Sequence, residues 1–152
     1  MKELKYEFYI GATPDQVWEC LVSPDKVKQI YYGSSIRSSF VEGELLEYIG
    51  PGADGSETLH VYGTLLEFTP QEALRFTHKV GPSYVKDGAD YESRISWLLA
   101  PVGGCTKLTL IHDNWHADDP SYGPSDSAWW QILSHTKTLA ESGNTLDFGS
   151  WE

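Results

Sequence analysis

Between Ser34 and Asn114 the chain carries an almost continuous strand signal, and none of its interruptions is long enough to hold a helix. The breaks are Glu42-Gly43, the loop Gly50 to Ser56, Thr69-Pro70-Gln71-Glu72, the Gly81 to Asp90 stretch and Pro101 to Gly104, each built from residues that end strands. About five or six strands fit between them. Parallel neighbours would need crossover connections of a dozen or more residues, so only an antiparallel meander is compatible with this spacing. Such a sheet is expected to be strongly curved.

Period-two alternation then sorts the faces. Leu74, Phe76, His78 and Val80 share one side, as do Tyr91, Ser93, Ile95, Trp97 and Leu99, and then Leu108, Leu110 and His112. Arg75, Lys79, Glu92, Arg94, Lys107 and Thr109 fall on the other. From Leu59 to Phe68 both sides are apolar, and alternation does not choose the inward one. Ahead of the meander, Leu4, Tyr6, Phe8 and Ile10 alternate with Lys5, Glu7 and Tyr9, which reads as a first strand over Lys2 to Ile10. Thr13-Pro14-Asp15-Gln16 supplies a cap, a proline suited to the first helical position and a glutamine where a capping box needs one, so a short helix carries Val17, Trp18 and Leu21. Ser23-Pro24-Asp25 repeats the start signal for a second short helix through Val27 and Ile30 towards Tyr31. His116 to Ser125 is turn-rich, and a helix is expected from about Ser127 to Ser142 with Gly143 as its left-handed cap. On that helix Trp129, Ile132, Leu133, Thr136, Leu139 and Ala140 form one stripe, away from Gln131, Ser134, Thr138 and Glu141. No repeat, linker or low-complexity segment divides the chain, so residues 1–152 read as a single domain.

Composition narrows the partners. The 152 residues are 40% hydrophobic, enough for a real core. Eleven Lys and Arg stand against 22 Asp and Glu, a formal charge of −11 and the wrong sign for a phosphate backbone or an anionic membrane. The longest run free of charged residues, Ile95 to Thr106, falls well short of the ~20 apolar residues of a spanning helix, so no membrane insertion is expected. Met1 to Tyr9 lacks the apolar core of a signal peptide, and Cys20 and Cys105 make no metal or redox spacing. A reduced, cytoplasmic protein starting at Met1 is the expectation.

Candidate chemistry centres on histidine. His112-Asp113-Asn114-Trp115-His116, with Asp118 and Asp119, has the residue types of a metal or proton-transfer site. Only His112 shares the inward parity of Leu108 and Leu110, however, while Asp113 points the other way, so one strand cannot bring the set to one centre. No metal and no cofactor is expected. His78 is inward by the same parity, and His60 is a third candidate. The glycine-rich loop at 50–56 lacks the Lys-Ser/Thr ending of a phosphate loop, and Ser121, Ser125 and Ser127 stand in no nucleophile elbow. Aromatic residues make up 13% of the chain, and Phe76, Tyr91, Trp97 and Trp129 occupy positions that serve equally as core or as cavity wall.

A strand, two short helices, a curved antiparallel meander and a long terminal helix together resemble the α+β helix-grip fold, in which the sheet wraps the last helix. IGATPDQVWECL at 10–21, Tyr31-Tyr32-Gly33, GTLLEFTP at 63–70, LTLIHD at 108–113 and AWWQILSHTKTLAESG at 128–143 resemble the bacterial family named after the activator of heat-shock-protein-90 ATPase, within the START-like (SRPBCC) superfamily. Where Tyr31-Tyr32, Trp130, Thr136 and Ala140 stand, that family often has Trp, Pro, Leu and Leu, changes that reshape a cavity more than a fold. The resemblance implies a cavity between sheet and terminal helix that holds a small hydrophobic or aromatic, lipid-like or polyketide-like molecule. Its expected ligand-binding residues are Tyr32 at the mouth, then Phe76, His78, Tyr91, Ile95, Trp97, Leu108, Leu110, His112, Trp129, Leu133 and Thr136. A binding module without catalytic residues is the leading reading. A cyclase or aromatase that moves a proton with His78 or His112 is the alternative, and a chaperone ATPase co-regulator comes third. The eukaryotic activators carry an additional N-terminal domain, for which 152 residues leave no space. The expected partner is a small apolar or aromatic ligand, with a homodimer left open and no nucleic acid.

Overall fold

The computed structural model of the chain describes residues 2–85 and 90–149. Seven strands form one curved antiparallel sheet: β1 (Leu4–Ile10), β2 (Ser35–Ser38), β3 (Leu45–Pro51), β4 (Glu57–Thr69), β5 (Ala73–Val80), β6 (Ser93–Val102) and β7 (Cys105–Asp113). Their order is β1-β7-β6-β5-β4-β3-β2, so the six strands after the helices are a pure meander and β1 is added beside the last of them. The helices α1 (Pro14–Val22) and α2 (Pro24–Ile30) therefore carry the chain from one edge of the sheet to the other. The long α3 (Tyr122–Ser142) lies on the concave face, completing the α+β helix-grip fold.

Local chemistry explains the elements. Thr13 and Gln16 make the reciprocal capping box, Gln16 N–H donating to Thr13 Oγ1 at 3.3 Å and Thr13 N–H to Gln16 Oε1 at 2.9 Å. Gly143, at φ 81°, ends α3 in the left-handed region that glycine tolerates best. Register puts directly opposed residues on one face, so the pairs Leu74–Trp97, Phe76–Ile95, Trp97–Leu110, Ile95–His112 and Tyr6–Leu110 lay a continuous apolar floor under α3. Trp129, Ile132, Leu133, Thr136 and Leu139 of α3 bury themselves on it; His135 is buried against Tyr32 and Phe148, and Ala140 is only half-buried.

Three expectations need correction. α3 starts at Tyr122, five residues before Ser127, because Pro124 stands in the first turn, where a helix needs no backbone N–H from it. β6 starts at Ser93, so Tyr91 precedes the strand and stacks on His116 with ring centroids 4.6 Å apart. Pro101 and Val102 continue β6, leaving Gly103-Gly104 as the turn into β7. Of the expected break between Gly81 and Asp90, residues 86–89 lie outside the described residues.

The silence of alternation over Leu59 to Phe68 has a physical cause. β4 is bulged twice: His60 is extra where Tyr48 faces Val61 and Ile49 faces Leu59, and Leu66 is extra where Leu65 faces Phe76 and Glu67 faces Arg75. Each bulge reverses the side on which later residues point. Leu65 is thus buried, Leu66 exposed, and Phe68 inward again against Trp18 and Phe40.

Leu133 is almost wholly buried in this floor. Leu133→Ala should lower unfolding free energy by ~2–5 kcal/mol in denaturant titration. A loss below ~1 kcal/mol would mean that the helix–sheet contact is loose.

Candidate functional site

Beneath α3 the expected cavity residues are consumed by packing. Phe76, Ile95, Trp97, Leu108, Leu110, Trp129, Leu133 and Thr136 are buried in the core, with Trp97 and Trp129 edge to face at 5.6 Å. The Thr136 hydroxyl bonds back to Ile132 O at 2.8 Å, which satisfies it without a ligand. No wall of either cavity described below includes any of these eight. Among the described residues these side chains fill the space between sheet and helix.

Open volume lies instead where the chain climbs from the sheet to the start of α3. A cavity of about 520 Å³ is bounded by His60 and Val61 of β4, His78 and Val80 of β5, Tyr84 and Tyr91, and by Pro120, Ser121, Pro124, Ser125 and Ala128 on the helix side. A second, of about 610 Å³, lies between Tyr31, Tyr32, Ser34, Tyr48 and the Pro51–Ala53 turn. His60, Val61 and Tyr84 belong to both walls. The bulge at His60 is what lets neighbouring residues 60 and 61 reach the same space. Of the expected site residues, His78 and Tyr91 line the first cavity and Tyr32 the second, where its hydroxyl donates to Gln131 Oε1.

His112 is not on the wall but directly behind it. Trp129 Nε1–H donates to His112 Nδ1 at 3.0 Å, and His112 Nε2 meets Ser93 Oγ at 2.7 Å. Ser93 Oγ in turn lies 3.4 Å from Nδ1 of His78, whose ring is 4.9 Å from that of His112. Trp115 closes the other side, its ring 4.0 Å from His112 and its Nε1–H on the His112 carbonyl at 2.8 Å. Loss of hydration on burial pushes the His112 pKa down to about 2, with the neighbouring His78 acting in the same direction. Burial likewise takes His78 down to about 4, partly opposed by the negative charge of Asp119. Both imidazoles are neutral at physiological pH.

The remaining acids and histidines of the 112–119 segment do not converge. Asp113 is paired with Arg94 through two bonds of 2.9 and 2.7 Å on the outer face, Asp119 Oδ1 accepts from Ser121 N–H and Oγ–H, and His116 stacks on Tyr91. Among the described residues no group of three or more His, Cys, Asp or Glu is arranged to hold a metal ion. Cys20 and Cys105 are free thiols. No described helix is long and apolar enough to cross a membrane.

Sequence reasoning missed Val61, Tyr84, Pro120, Ser121, Pro124 and Ala128 as wall residues. Strand parity carries no signal for them, since they come from a bulged strand, a 3-10 turn at Pro82–Tyr84, the approach to α3 and its first turns. The paired prolines and serines at 120–125 were the one visible cue to an irregular wall.

A curved sheet gripping one helix, with a cavity at its open end, defines a START-like domain. The family described as Activator of Hsp90 ATPase homolog 1-like protein matches residues 11–141, and the chain belongs to it. No curated protein matches the sequence. Solved structures of similar fold include a protein from Arthrobacter aurescens, with TM-score 0.78 and 12% identity over 99% of this chain and 92% of the other. MLL2253 from Mesorhizobium loti gives TM-score 0.73 and 17% identity over 91% and 96%. A structure described as the Aha1 dimer from Colwellia psychrerythraea gives 0.69 and 19% over 94% and 98%.

The buried histidines have a measurable cost. With folded pKa values below the ordinary ~6.5, the unfolded chain binds more protons as pH falls beneath that value, so stability is steady above ~6.5 and is lost as pH falls towards 4. Buried His112 alone contributes up to ~1.4 kcal/mol per pH unit. Denaturant melts between pH 6.5 and 5, above the range in which the carboxylates titrate, should show a shallower slope for His112→Gln; equal slopes would mean that His112 is not buried neutral.

Proposed function

We propose that the chain, acting over 1–152 as one binding domain, holds a small apolar or aromatic molecule in the 520 Å³ cavity between β4–β5 and the first turns of α3. The observation that carries this reading is the cavity itself, walled largely by Val61, Val80, Tyr84, Tyr91, Pro120, Pro124 and Ala128, beyond the packed contact of α3 with the sheet. Burying ~300 Å² of apolar ligand surface at ~25 cal/mol/Å² supplies ~7.5 kcal/mol before the entropic cost of association, which corresponds to an affinity in the micromolar to millimolar range. The fold commonly serves such binding, and the neutral histidine on the wall suits an uncharged guest. Homodimer formation, as in the Colwellia relative, is proposed alongside, with light scattering as its check.

Fluorenone, a flat aromatic ketone, is a suitable probe. Titration should quench tryptophan fluorescence saturably, and Ala128→Trp, which projects a large ring into the cavity, should weaken binding at least about tenfold by occlusion while the melting temperature holds within a few degrees. Linear, non-saturating quenching, or equal affinity for Ala128→Trp, would count against the cavity.

A further inference from the structure

The bonding behind the cavity fixes which hydrogen-bonding sign the wall presents. An indole nitrogen only donates, so the 3.0 Å contact from Trp129 Nε1 makes Nδ1 of His112 an acceptor. A neutral imidazole carries one N–H, which on His112 is therefore at Nε2 and donates to Ser93 Oγ. The Ser93 hydroxyl proton, not needed by His112, faces Nδ1 of His78 at 3.4 Å. With Nδ1 accepting from Ser93, the proton of His78 stands on Nε2. That nitrogen has no hydrogen-bond partner among the described residues, and since no buried side-chain nitrogen there lacks one, it is reached from the open space of the cavity.

None of the other polar groups on the wall is a committed donor. His60 Nε2 must donate to the Pro51 carbonyl at 3.1 Å, so its Nδ1 accepts from the Tyr84 hydroxyl at 2.5 Å; both groups are spent as donors, and the Tyr84 oxygen can only accept. Ser121 gives its hydroxyl proton to Asp119 at 2.7 Å. The Tyr91 and Ser125 hydroxyls can donate or accept and so impose no sign. Asp119, buried behind Ser121, adds a negative charge beside this wall that disfavours an anionic guest.

We propose that His78 Nε2–H is the specificity-determining donor of this cavity, locked in that tautomer by the chain Trp129, His112 and Ser93, and that its ligand is a neutral apolar molecule bearing a carbonyl-type acceptor. The inference rests on the cavity reading above. Ser93, His112 and Trp129 are positioning residues that act through His78.

Fluorenone and fluorene differ at the carbonyl and form the test pair, with fluorene-9-carboxylate as the anionic arm. In calorimetric titrations the ratio of fluorenone to fluorene affinity should fall about three- to tenfold in His78→Phe, and should be retained in His78→Gln, whose amide still donates. The carboxylate should bind more weakly than fluorenone. Imidazole nitrogen NMR of the unmodified protein should show His78 and His112 protonated at Nε2, and Ser93→Ala should convert His78 to a mixture of tautomers. An unchanged ratio in His78→Phe with both probes bound, or tighter binding of the carboxylate, overturns this inference and leaves the cavity reading intact. Binding of neither probe by the unmodified protein overturns both. A His78 proton on Nδ1 overturns the inference even if His78→Phe fails to fold.

Discussion

One hydrogen bond at the centre of the molecule, from the Trp129 indole to His112, organises what surrounds it. It joins α3 to β7 where neither partner can reach water, and each would be left unsatisfied without the other, at a cost of ~1–3 kcal/mol per orphaned group. It also fixes the rotation of α3, because the stripe that places Trp129 on His112 necessarily places Leu133, Thr136 and Leu139 on the sheet. The apolar floor supplies most of the burial energy; this bond supplies uniqueness. A helix rolled by one residue would strand a polar atom in a dry interior.

The same constraint explains why the packed interior ends where it does. From Trp129 onward the helix is held against the sheet, but Pro120 ahead of it and Pro124 in its first turn face the open volume next to β4 and β5. The bulge at His60 then turns two successive side chains towards the gap. A cavity of this origin is apolar because its walls are strand and helix faces that found no partner. Its committed donor, His78, is held by atoms belonging to the core, so that specificity and stability share residues.

Much of this was legible in the sequence. β5, β6 and β7 run without bulges through the floor, and simple alternation placed Phe76, Trp97, Leu110 and His112 on the correct face; the Thr13–Gln16 capping box and the Gly143 cap formed as their residue types require. Alternation could not see β4, where two extra residues reverse the pattern, nor the first turn of α3, where Pro124 mimics a loop. The cavity wall was the least legible feature. Parity tells which side chains point inward, but whether an inward ring meets another ring or empty space depends on how far two layers have diverged. Trp97 and Trp129 meet, whereas His78, on the same face of the neighbouring strand, opens onto the cavity.

The central claim is that the gap under the start of α3, and not an exposed apolar surface, is where a neutral ligand sits. Intermolecular nuclear Overhauser effects in a fluorenone complex test it most directly. The account predicts contacts from the probe to the methyl groups of Val61, Val80 and Ala128, with the His78 Nε2–H signal shifted on binding. Contacts confined to the exposed side chains Leu45, Leu66 or Trp130, with the His78 signal unmoved, would contradict it.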